Sequence, residues 1–582
     1  MTQQNTLPPN PDGPIPDGPI PDSPTVGAPS ETAIDEAAED KQAESLEAPR
    51  ASVADRTKDL PLRERGALKT VGDLIERRRL DQAEQTLSQI RGRAGNHPEF
   101  LRMRAVVLHL KGRHADAAQV LKRALEQAPN DPLILTNLGS VLGAQGDFMG
   151  ATVAFQRACE IDPKLAAPWY NLGKALARQL RVEDALEAFE EALRRDHDHV
   201  TTRIARAGLL VAVGRVEEGA EEYRRVIARR PDMIAAWTGL NSIKTARLTD
   251  AEIAQLEAMY ATPDIPEATR GKLGFALGKA LEDAARYDEA FSVLAASNGA
   301  MRRMQTWDSA DFTRAIDAVI DTFNAPIAQA TDATLGKEVI FVVSIPRSGS
   351  TLTEHILASH SDVAGADELP VVGEIINEEA ARVGIPYPDW MRHATAADWT
   401  RLGKEYLKRT ERWRTSHARS TDKGLANWAF VGVIHSMLPG ARIVNCRRDA
   451  VETCWSCYKQ LFVRGQSYSY DLGELASYWR DYDRLMRFWN ARYPHRVHDV
   501  VYEDLVDDSE TQIRRLLDFC QLPFEPACLR SHETQRAVRT TSAGQVRQPL
   551  RHDTARAPAY GELLAPLRWA LGVEKLQTAD SS

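Results

Sequence analysis

A chain of 582 residues is longer than one hydrophobic core normally serves, so we expect at least two domains. Hydrophobic residues make up 43% and charged residues 27% of the sequence, which excludes a wholly disordered, collagen-like or membrane-embedded protein. The formal net charge is −9, and residues 1–58 hold eleven Asp/Glu against four Lys/Arg, so the remainder is almost neutral. A nucleic-acid partner is not expected, because it would require a basic domain or stripe.

The composition of residues 1–62 predicts a disordered tail. Ten prolines occur in residues 1–49, several of them in PDGPIPDGPIPDSP, and large apolar residues are scarce. Such a segment cannot bury enough surface to offset its chain entropy. The N-terminus lacks the features of a signal peptide, and no run of eighteen apolar residues occurs, so we predict a cytoplasmic protein with no transmembrane segment.

The sequence pattern of residues 67–300 predicts helices, because apolar residues recur there every three or four positions. A period of 34 residues separates Pro129 from Pro163 and Gly112 from Gly146, and an Asn-Leu-Gly triplet recurs with it. The period resembles the tetratricopeptide repeat, which pairs two helices and places small residues where they cross. The resemblance implies an all-α solenoid whose groove binds an acceptor polypeptide or another partner.

Residues 333–575 predict an α/β domain. Three apolar runs, EVIFVVSI, ARIVNCR and RVHDVVYEDL, read as strands, and each is followed by a helical pattern. This alternation is typical of a parallel sheet with crossover helices. The domain is long enough for a core of its own. Six cysteines in the whole chain indicate buried thiols, and no metal site is expected.

The first of these strands runs into the sequence Pro-Arg-Ser-Gly-Ser-Thr-Leu and then into a helix. A strand, a tight loop and a helix N-terminus direct several backbone N–H groups to one place, which favours an anion. Compared with the nucleotide P-loop, Ser344 replaces the first Gly and Ser350 replaces the Lys. The loss of this Lys disfavours a kinase. Two alternative functions of the chain nevertheless remain open, a kinase and a non-catalytic repeat scaffold.

The loop and four later segments resemble sulfotransferases that use 3′-phosphoadenosine 5′-phosphosulfate (PAPS). They are most similar to bacterial tetratricopeptide-repeat sulfotransferases, whose catalytic domain is similar to tyrosylprotein sulfotransferases. The resemblance implies a P-loop-like fold and transfer of a sulfuryl group to a hydroxyl acceptor, with PAP (3′-phosphoadenosine 5′-phosphate) as product and no required metal. A peptide tyrosine, a carbohydrate and a small phenol all remain open as acceptors. We also expect the α/β domain to bind its cofactor without the repeats.

The resemblance assigns cofactor binding to the following residues: Arg347, Ser348, Gly349, Ser350, Thr351, Leu352, Arg448, Ser456, Tyr502, Ser542 and Arg556. Arg448 and Ser456 would hold the 3′-phosphate, with Arg447 as a substitute for Arg448. Arg556 would supply a cation that relatives place in a basic-Trp segment, which this chain lacks.

The acceptor hydroxyl needs a base, and by resemblance Glu368 in the segment AGADEL is the first choice. Asp367 is the second, because an alignment can slip by one residue in so short a loop. His435 or His360 would serve if the site works like small-molecule sulfotransferases that use His. By resemblance, Lys423, in STDKG, is expected near the transferred sulfuryl group.

Two residues of the cofactor set also belong to the expected catalytic set with Glu368 and Lys423. Arg347 lies in the anion loop, and Ser542 lies in TSAGQVRQP. By resemblance, Ser542 faces the sulfate and the 5′-phosphate.

Overall fold

The computed structural model describes residues 56–179, 181–243, 246–462, 465–534, 550 and 554–573. Paired helices come first along the chain, and an α/β part built on a parallel sheet follows them. The fold class predicted from the sequence is confirmed. Within the described ranges, no helix combines the length and the apolar character that crossing a bilayer requires.

The stacked helices follow the periodic part of the sequence. In chain order they are α1 (Leu62–Glu76), α2 (Leu80–Ala94), α3 (Pro98–Leu110), α4 (His114–Gln127), α5 (Pro132–Ala144), α6 (Phe148–Ile161), α7 (Ala166–Arg178), α8 (Val182–Arg195), α9 (Val200–Ala212), α10 (Val216–Arg229), α11 (Ile234–Ser242), α12 (Asp250–Tyr260), α13 (Glu267–Asp283), α14 (Tyr287–Arg302) and α15 (Ser309–Asn324).

Two glycines explain the 34-residue period. A methyl group on Gly139 of α5 would lie 2.6 Å from the ring of Phe155 on α6. A methyl group on Gly173 of α7 would lie equally close, at 2.6 Å, to the ring of Phe189 on α8. Only glycine lets the two backbones of each pair approach so closely. The sequence period therefore reflects a helix crossing that is repeated in successive pairs.

The segment directly before α1 is packed against the array. Arg56 donates to Glu99 at 2.7 Å and to Asp131 at 2.6 Å, and Thr57 is buried. Arg56 and Thr57, which lie in the segment predicted as the tail, thus pack against the helices. Residues 1–55 lie outside the described residues.

The sheet of the α/β part has five parallel strands in the order β2-β3-β1-β4-β5. The strands are β1 (Val339–Val343), β2 (Val363–Ala364), β3 (Arg419–Asp422), β4 (Arg442–Arg447) and β5 (Val497–Val501). The three apolar runs correspond to β1, β4 and β5. The sequence did not predict β2 and β3, because β2 is only two residues long and β3 consists of polar residues.

Helices cover the sheet and complete the α/β part. They are α16 (Ser350–Leu357), α17 (Val371–Val383), α18 (Ala396–Arg409), α19 (Val431–Met437), α20 (Ala450–Tyr458), α21 (Leu472–Arg492), α22 (Tyr502–Asp507), α23 (Ser509–Phe519) and α24 (Ala565–Leu571).

One hydrophobic core continues from the last helix pairs of the array into the α/β part. Phe323 of α15 packs edge-on against Trp489 of α21, with the ring centroids 5.0 Å apart. Phe291 of α14 stacks on Trp455 of α20. The end of the array and the α/β part therefore share buried surface, while the domain boundaries at 67–300 and 333–575 stay predictions.

Candidate functional site

The predicted site residues come from segments that end at the same edge of the sheet. The anion loop follows β1, Lys423 follows β3, Arg448 follows β4, and the acidic segment follows β2. All five strands are parallel, so the segments that follow them meet at the carboxyl edge of the sheet. Ligands of open parallel sheets bind at this edge, where connections on either side of a central strand diverge.

The anion loop has the backbone that its sequence predicted. Gly349 adopts a left-handed conformation, with φ of 91°, and directly precedes α16. A methyl group at this position would lie 2.9 Å from Cδ2 of Tyr502, so the ring packs directly on the loop. Ser348 and Ser350 are buried, whereas Thr351 and Leu352 are half-buried. The loop therefore presents its backbone at a close-packed corner beside Tyr502.

Two arginines meet beside this loop. Nε of Arg347 donates to Oγ of Ser456 at 3.1 Å. The guanidinium carbon of Arg448 lies 4.7 Å from the ring centroid of Tyr502, and its Nη1 is 3.4 Å from the carbonyl oxygen of Arg347. Burial, and also the positive charge of Arg448, lowers the pKa of Arg347. The structure thus brings together Arg347, Arg448, Ser456 and Tyr502.

Arg448 has spare hydrogen-bonding capacity. Its Nε is buried and has no hydrogen-bond partner within the part of the chain that the structure describes. Its Nη2 contacts Glu452 at 3.5 Å and Thr554 at 3.4 Å, both near the limit of a hydrogen bond. A largely buried guanidinium with weak partners suits an anionic ligand, since each unmade bond is costly.

A cavity of about 460 Å³ opens beside Arg448. Tyr502, Thr554 and Arg568 also line it. Oη of Tyr502 lies 3.1 Å from Oγ1 of Thr554, which fixes the ring against the C-terminal segment. Sequence reasoning missed Thr554 and Arg568, because neither belongs to a motif and only the fold places them here.

Glu452 anchors the C-terminal segment to the site. Its buried carboxylate accepts from the backbone N–H of Arg556 at 2.8 Å and of Ala557 at 2.7 Å. Arg556 is exposed, and its neighbours Ala555 and Ala557 line the cavity while Arg556 itself does not. Ser542, the other predicted residue of this region, lies outside the described residues.

The acidic segment forms an ion cluster with Lys423. Nζ of Lys423 lies 2.7 Å from Oε1 of Glu368 and 3.1 Å from Oδ1 of Asp367. Lys423 is fully buried. Burial disfavours its charge, but Glu368, Asp367 and Glu354 outweigh burial and raise its pKa above the ordinary value. Lys423 is therefore a fixed positive charge next to both candidate bases.

Glu354 and Thr421 hold the backbone of the acidic segment. Oε1 of Glu354, on α16, accepts from the backbone N–H of Asp367 at 2.9 Å and from Oγ1 of Thr421 at 2.7 Å. Oγ1 of Thr421 in turn accepts from the N–H of Ala366 at 3.1 Å. Asp367 has a left-handed φ of 62°, which this network sustains. The only sequence signal for the network is that the helix and the strand each contain a polar residue.

Asp422 fixes the turn that follows β3. Its fully buried carboxylate accepts from Oη of Tyr406 at 2.7 Å, from the N–H of Gly424 at 3.0 Å and from Nδ2 of Asn427 at 3.2 Å. Burial raises the pKa of Asp422 to about 7, although these donors favour the anion. The residue directly before Lys423 is thus held by three bonds.

The alternative residues lie elsewhere. Arg447 is ion-paired with Asp483 on α21 and is not placed to replace Arg448. His360 follows α16 and contacts the carbonyl oxygen of Pro523 at 3.0 Å. The ring of His435 packs on that of Tyr493, with the centroids 4.0 Å apart, and Tyr493 lies shortly before the start of β5. Both histidines therefore lie near the amino ends of the strands, away from Lys423.

The cysteines next to the site are buried thiols. All six cysteines of the chain are free and buried. Sγ of Cys457 donates to the carbonyl oxygen of Pro346 at 3.2 Å, so it supports the anion loop. Burial raises the pKa of Cys457 to about 12. Among the described residues, no group of three or more His, Cys, Asp or Glu could hold a metal ion.

Comparison with known proteins separates the chain into the same two parts. Residues 339–526 match the model of the sulfotransferase family. Residues 71–132, 141–179 and 166–199 match models of the tetratricopeptide repeat. The predicted resemblance to a tetratricopeptide-repeat sulfotransferase is thereby confirmed.

Two curated relatives have similar sequences. An "Uncharacterized protein" of Aquifex aeolicus (strain VF5) is 31% identical over 383 residues, which are 63% of this chain and 50% of that protein. The chain thus spans half the length of this relative. A "Putative protein-tyrosine sulfotransferase" of Caenorhabditis briggsae is 25% identical over 208 residues, which are 34% of this chain and 70% of that protein.

Solved structures with similar folds include a thermophilic tetratricopeptide repeat protein of Thermus thermophilus. It is 19% identical, covers 31% of this chain and 97% of its own, and gives a TM-score of 0.29. A tetratricopeptide repeat protein of Parabacteroides merdae is 16% identical, covers 40% of this chain and 91% of its own, and gives a TM-score of 0.31.

Proposed function

We propose that this chain, in which a sulfotransferase-family domain follows tetratricopeptide repeats, transfers a sulfuryl group from PAPS to a hydroxyl acceptor. The observation that supports this most directly is the contact between the buried Lys423 and the partly buried Glu368, whose Nζ and Oε1 lie 2.7 Å apart. The pair sits at the same sheet edge as the anion loop and Arg448. A base, a fixed cation and an anion site are the groups that sulfuryl transfer needs.

The residues present fit PAPS. Arg448 and Ser456 would hold the 3′-phosphate, and the buried Nε of Arg448 is available for it. The loop from Arg347 to Leu352, with the N-terminus of α16, would hold the phosphosulfate end. Tyr502 contacts both places, since its ring packs on Gly349 and lies 4.7 Å from the guanidinium carbon of Arg448. When bound, PAPS supplies a sulfuryl group that is activated by its bond to phosphate.

Glu368 would act as the general base. Its carboxylate takes the proton of the acceptor hydroxyl while that oxygen forms a bond to sulfur and the bond from sulfur to the phosphate oxygen breaks. Lys423 stabilises the negative charge that develops on the leaving oxygen. Glu354 and Thr421 keep the base in place through the backbone of Ala366 and Asp367. The proposal requires no metal, because arginine and lysine supply the positive charge.

The acceptor would be a polypeptide that is held by the repeat array, and the hydroxyl of one of its tyrosines would accept the sulfuryl group. Two observations support this part of the proposal. Stacked helix pairs form extended surfaces on which such proteins bind partners. The Caenorhabditis briggsae relative has a name that specifies protein tyrosine as the substrate of that protein. We further propose a cytoplasmic location.

Calorimetric titration of the full chain with PAP, PAPS and ATP tests the reaction class. We expect PAP and PAPS to bind and ATP to give no saturable heat. Binding of ATP with no response to PAP would favour the kinase instead. A chain that binds none of the three would favour the non-catalytic scaffold.

A further inference from the structure

Helix α20 lies between the nucleotide site and the last helix pair of the array. Ser456, toward the nucleotide site, accepts from Arg347. The adjacent residue, Trp455, is fully buried on the array side. Its ring stacks on Phe291 of α14 with centroids 5.8 Å apart, and it meets Tyr560 edge-on at 4.4 Å. One short helix therefore contacts both parts of the protein.

Glu282, at the end of α13, joins the array to the C-terminal end of α20. Its two carboxylate oxygens accept from Nζ of Lys459 at 2.9 and 2.6 Å, and one of them also accepts from Oη of Tyr560 at 2.7 Å. Lys459 is the residue that follows α20. The Glu282 side chain is 9% exposed and that of Lys459 is 15% exposed. This ion pair is thus largely removed from water.

A second bond from the array reaches the same turn. Nδ2 of the buried Asn298, on α14, donates to the carbonyl oxygen of Tyr458 at 3.0 Å. This carbonyl belongs to the last turn of α20, where carbonyl groups have no partner within the helix. Burial lowers the pKa of Lys459, and Glu282 acts in the opposite direction. The array therefore satisfies both the backbone and the charge at this end of the helix.

We propose that Glu282 is a positioning residue for the 3′-phosphate site, so that cofactor affinity depends on the last helix pair of the array. Removing one partner of a buried ion pair leaves the other charge uncompensated. Lys459 would then move toward water and draw with it the turn that contains Ser456. The inference rests on the proposed function, because it assigns Arg448 and Ser456 to PAPS.

The test compares Glu282→Gln with Glu474→Gln in the full chain. Glu474 makes an equally bidentate pair with Arg302 of the array, at 2.7 and 2.8 Å, but it lies in the first turn of α21. We expect Glu282→Gln to weaken PAP about tenfold, which is a moderate coupling between sites. Adenosine 5′-phosphosulfate, which lacks the 3′-phosphate, should change by less than about twofold. Glu474→Gln should leave both ligands unchanged.

Equal losses for the two nucleotides, or the same loss in Glu474→Gln, would show a general structural role and overturn the proposal. Tyr560→Phe is the milder second variant, since it removes one hydroxyl bond to Glu282 and keeps the ion pair. It should weaken PAP in the same direction by a smaller factor. The proposal would also be overturned if neither Glu282→Gln nor Tyr560→Phe changed the affinity for PAP.

Hydrogen exchange separates this inference from the proposed function. A wild-type chain that binds no PAP would refute the proposed function and leave the positioning of α20 to be decided by exchange alone. Glu282→Gln should speed amide exchange in residues 450–459, and Glu474→Gln should not. Unchanged exchange in residues 450–459 would overturn the positioning role whatever the nucleotide result.

Discussion

Lys423 and Glu368 are separated by 55 residues in sequence, yet Nζ of the lysine lies 2.7 Å from Oε1 of the glutamate. The backbone strengthens this contact, because the N–H of Lys423 donates to the carbonyl oxygen of Asp367 at 3.0 Å. The proposed base Glu368 and the cation Lys423 therefore form a single unit at the sheet edge. Substitutions in this unit should affect chemistry before they affect cofactor binding.

Glu368→Gln should reduce turnover by about two to four orders of magnitude. Glutamine keeps the size of the side chain and can still accept from Lys423, but it cannot take up a proton. PAP affinity, measured by calorimetry, should hardly change, because the cofactor set lies in other segments.

Asp367→Asn is the matched control for this variant. Asp367 shares Lys423 at 3.1 Å, so both substitutions perturb the same ion cluster. We expect Asp367→Asn to retain most of its turnover. If Asp367→Asn is inactive and Glu368→Gln is active, the base is Asp367. If both are active, neither carboxylate is the base.

Arg448→Ala should weaken PAP by about 2 to 4 kcal/mol, because it would remove the charge-assisted partner proposed for the 3′-phosphate. Adenosine 5′-phosphosulfate should be almost indifferent to the substitution. Arg447→Ala serves as the control, since Arg447 is paired with Asp483 on α21 and should leave PAP affinity unchanged. Comparable losses in the two variants would contradict the assignment of Arg448.

Thr421→Val should lower the free energy of unfolding by about 1 to 3 kcal/mol. The valine removes the hydroxyl that donates to Glu354 and accepts from the N–H of Ala366, and it leaves both groups buried without this partner. Thr421→Ser keeps the hydroxyl and should lose much less. Urea unfolding of the two variants measures the difference, and equal midpoints would show that the hydroxyl bonds contribute little.

Asp422 should make stability fall as pH rises. Its pKa is raised to about 7 in the folded protein, whereas an unfolded chain would give the ordinary value of 3.8. Between these two pKa values the folded state holds a proton on Asp422 that the unfolded chain has lost. The contribution of Asp422 to stability is therefore fully present below pH 3.8 and is lost as the pH rises through 7. Thermal unfolding from pH 4 to pH 8 should show this trend in the wild type. Asp422→Asn should flatten it, and an unchanged slope would assign the trend to other groups.

Deleting residues 1–300 should impair the α/β part. From the sequence we expected cofactor binding to survive loss of the repeats, but the continuous core makes its loss the expected result. The deletion exposes Trp455 and removes Glu282 from Lys459. Solubility, melting temperature and PAP titration measure the effect. Deleting only residues 1–55 should change none of them, and wild-type PAP affinity without the array would restore the original expectation.

The strands that sequence reasoning found and missed differ in one physical property. β1 is entirely apolar and buried, so its pattern predicts a central parallel strand. β3 is equally buried from Ser420 to Asp422, but its residues are polar because they hold the acidic segment and the turn before Lys423. A hydrophobic pattern cannot reveal a strand whose buried side chains bond to neighbouring segments.

The candidate site was predictable residue by residue only where a motif identified it. The anion loop follows from the order of an apolar strand, a tight loop and a helix, whereas Arg448 and Ser456 were identified only by the resemblance to sulfotransferases. The contact between Glu282 and Lys459 spans 177 residues and two different parts of the fold, and neither residue belongs to a motif. Long-range pairs of this kind depend on how the array packs on the sheet, which local sequence does not specify.

The matching crossings at Gly139 with Phe155 and at Gly173 with Phe189 have a consequence for divergence of the chain. Each helix pair offers its neighbours the same surface 34 residues later, so duplication or loss of one whole unit keeps every remaining crossing in register. The array could change length in the middle without disturbing α13 and α14. Growth by whole units would lengthen the exposed surface of the array while the end that touches the α/β part stays the same.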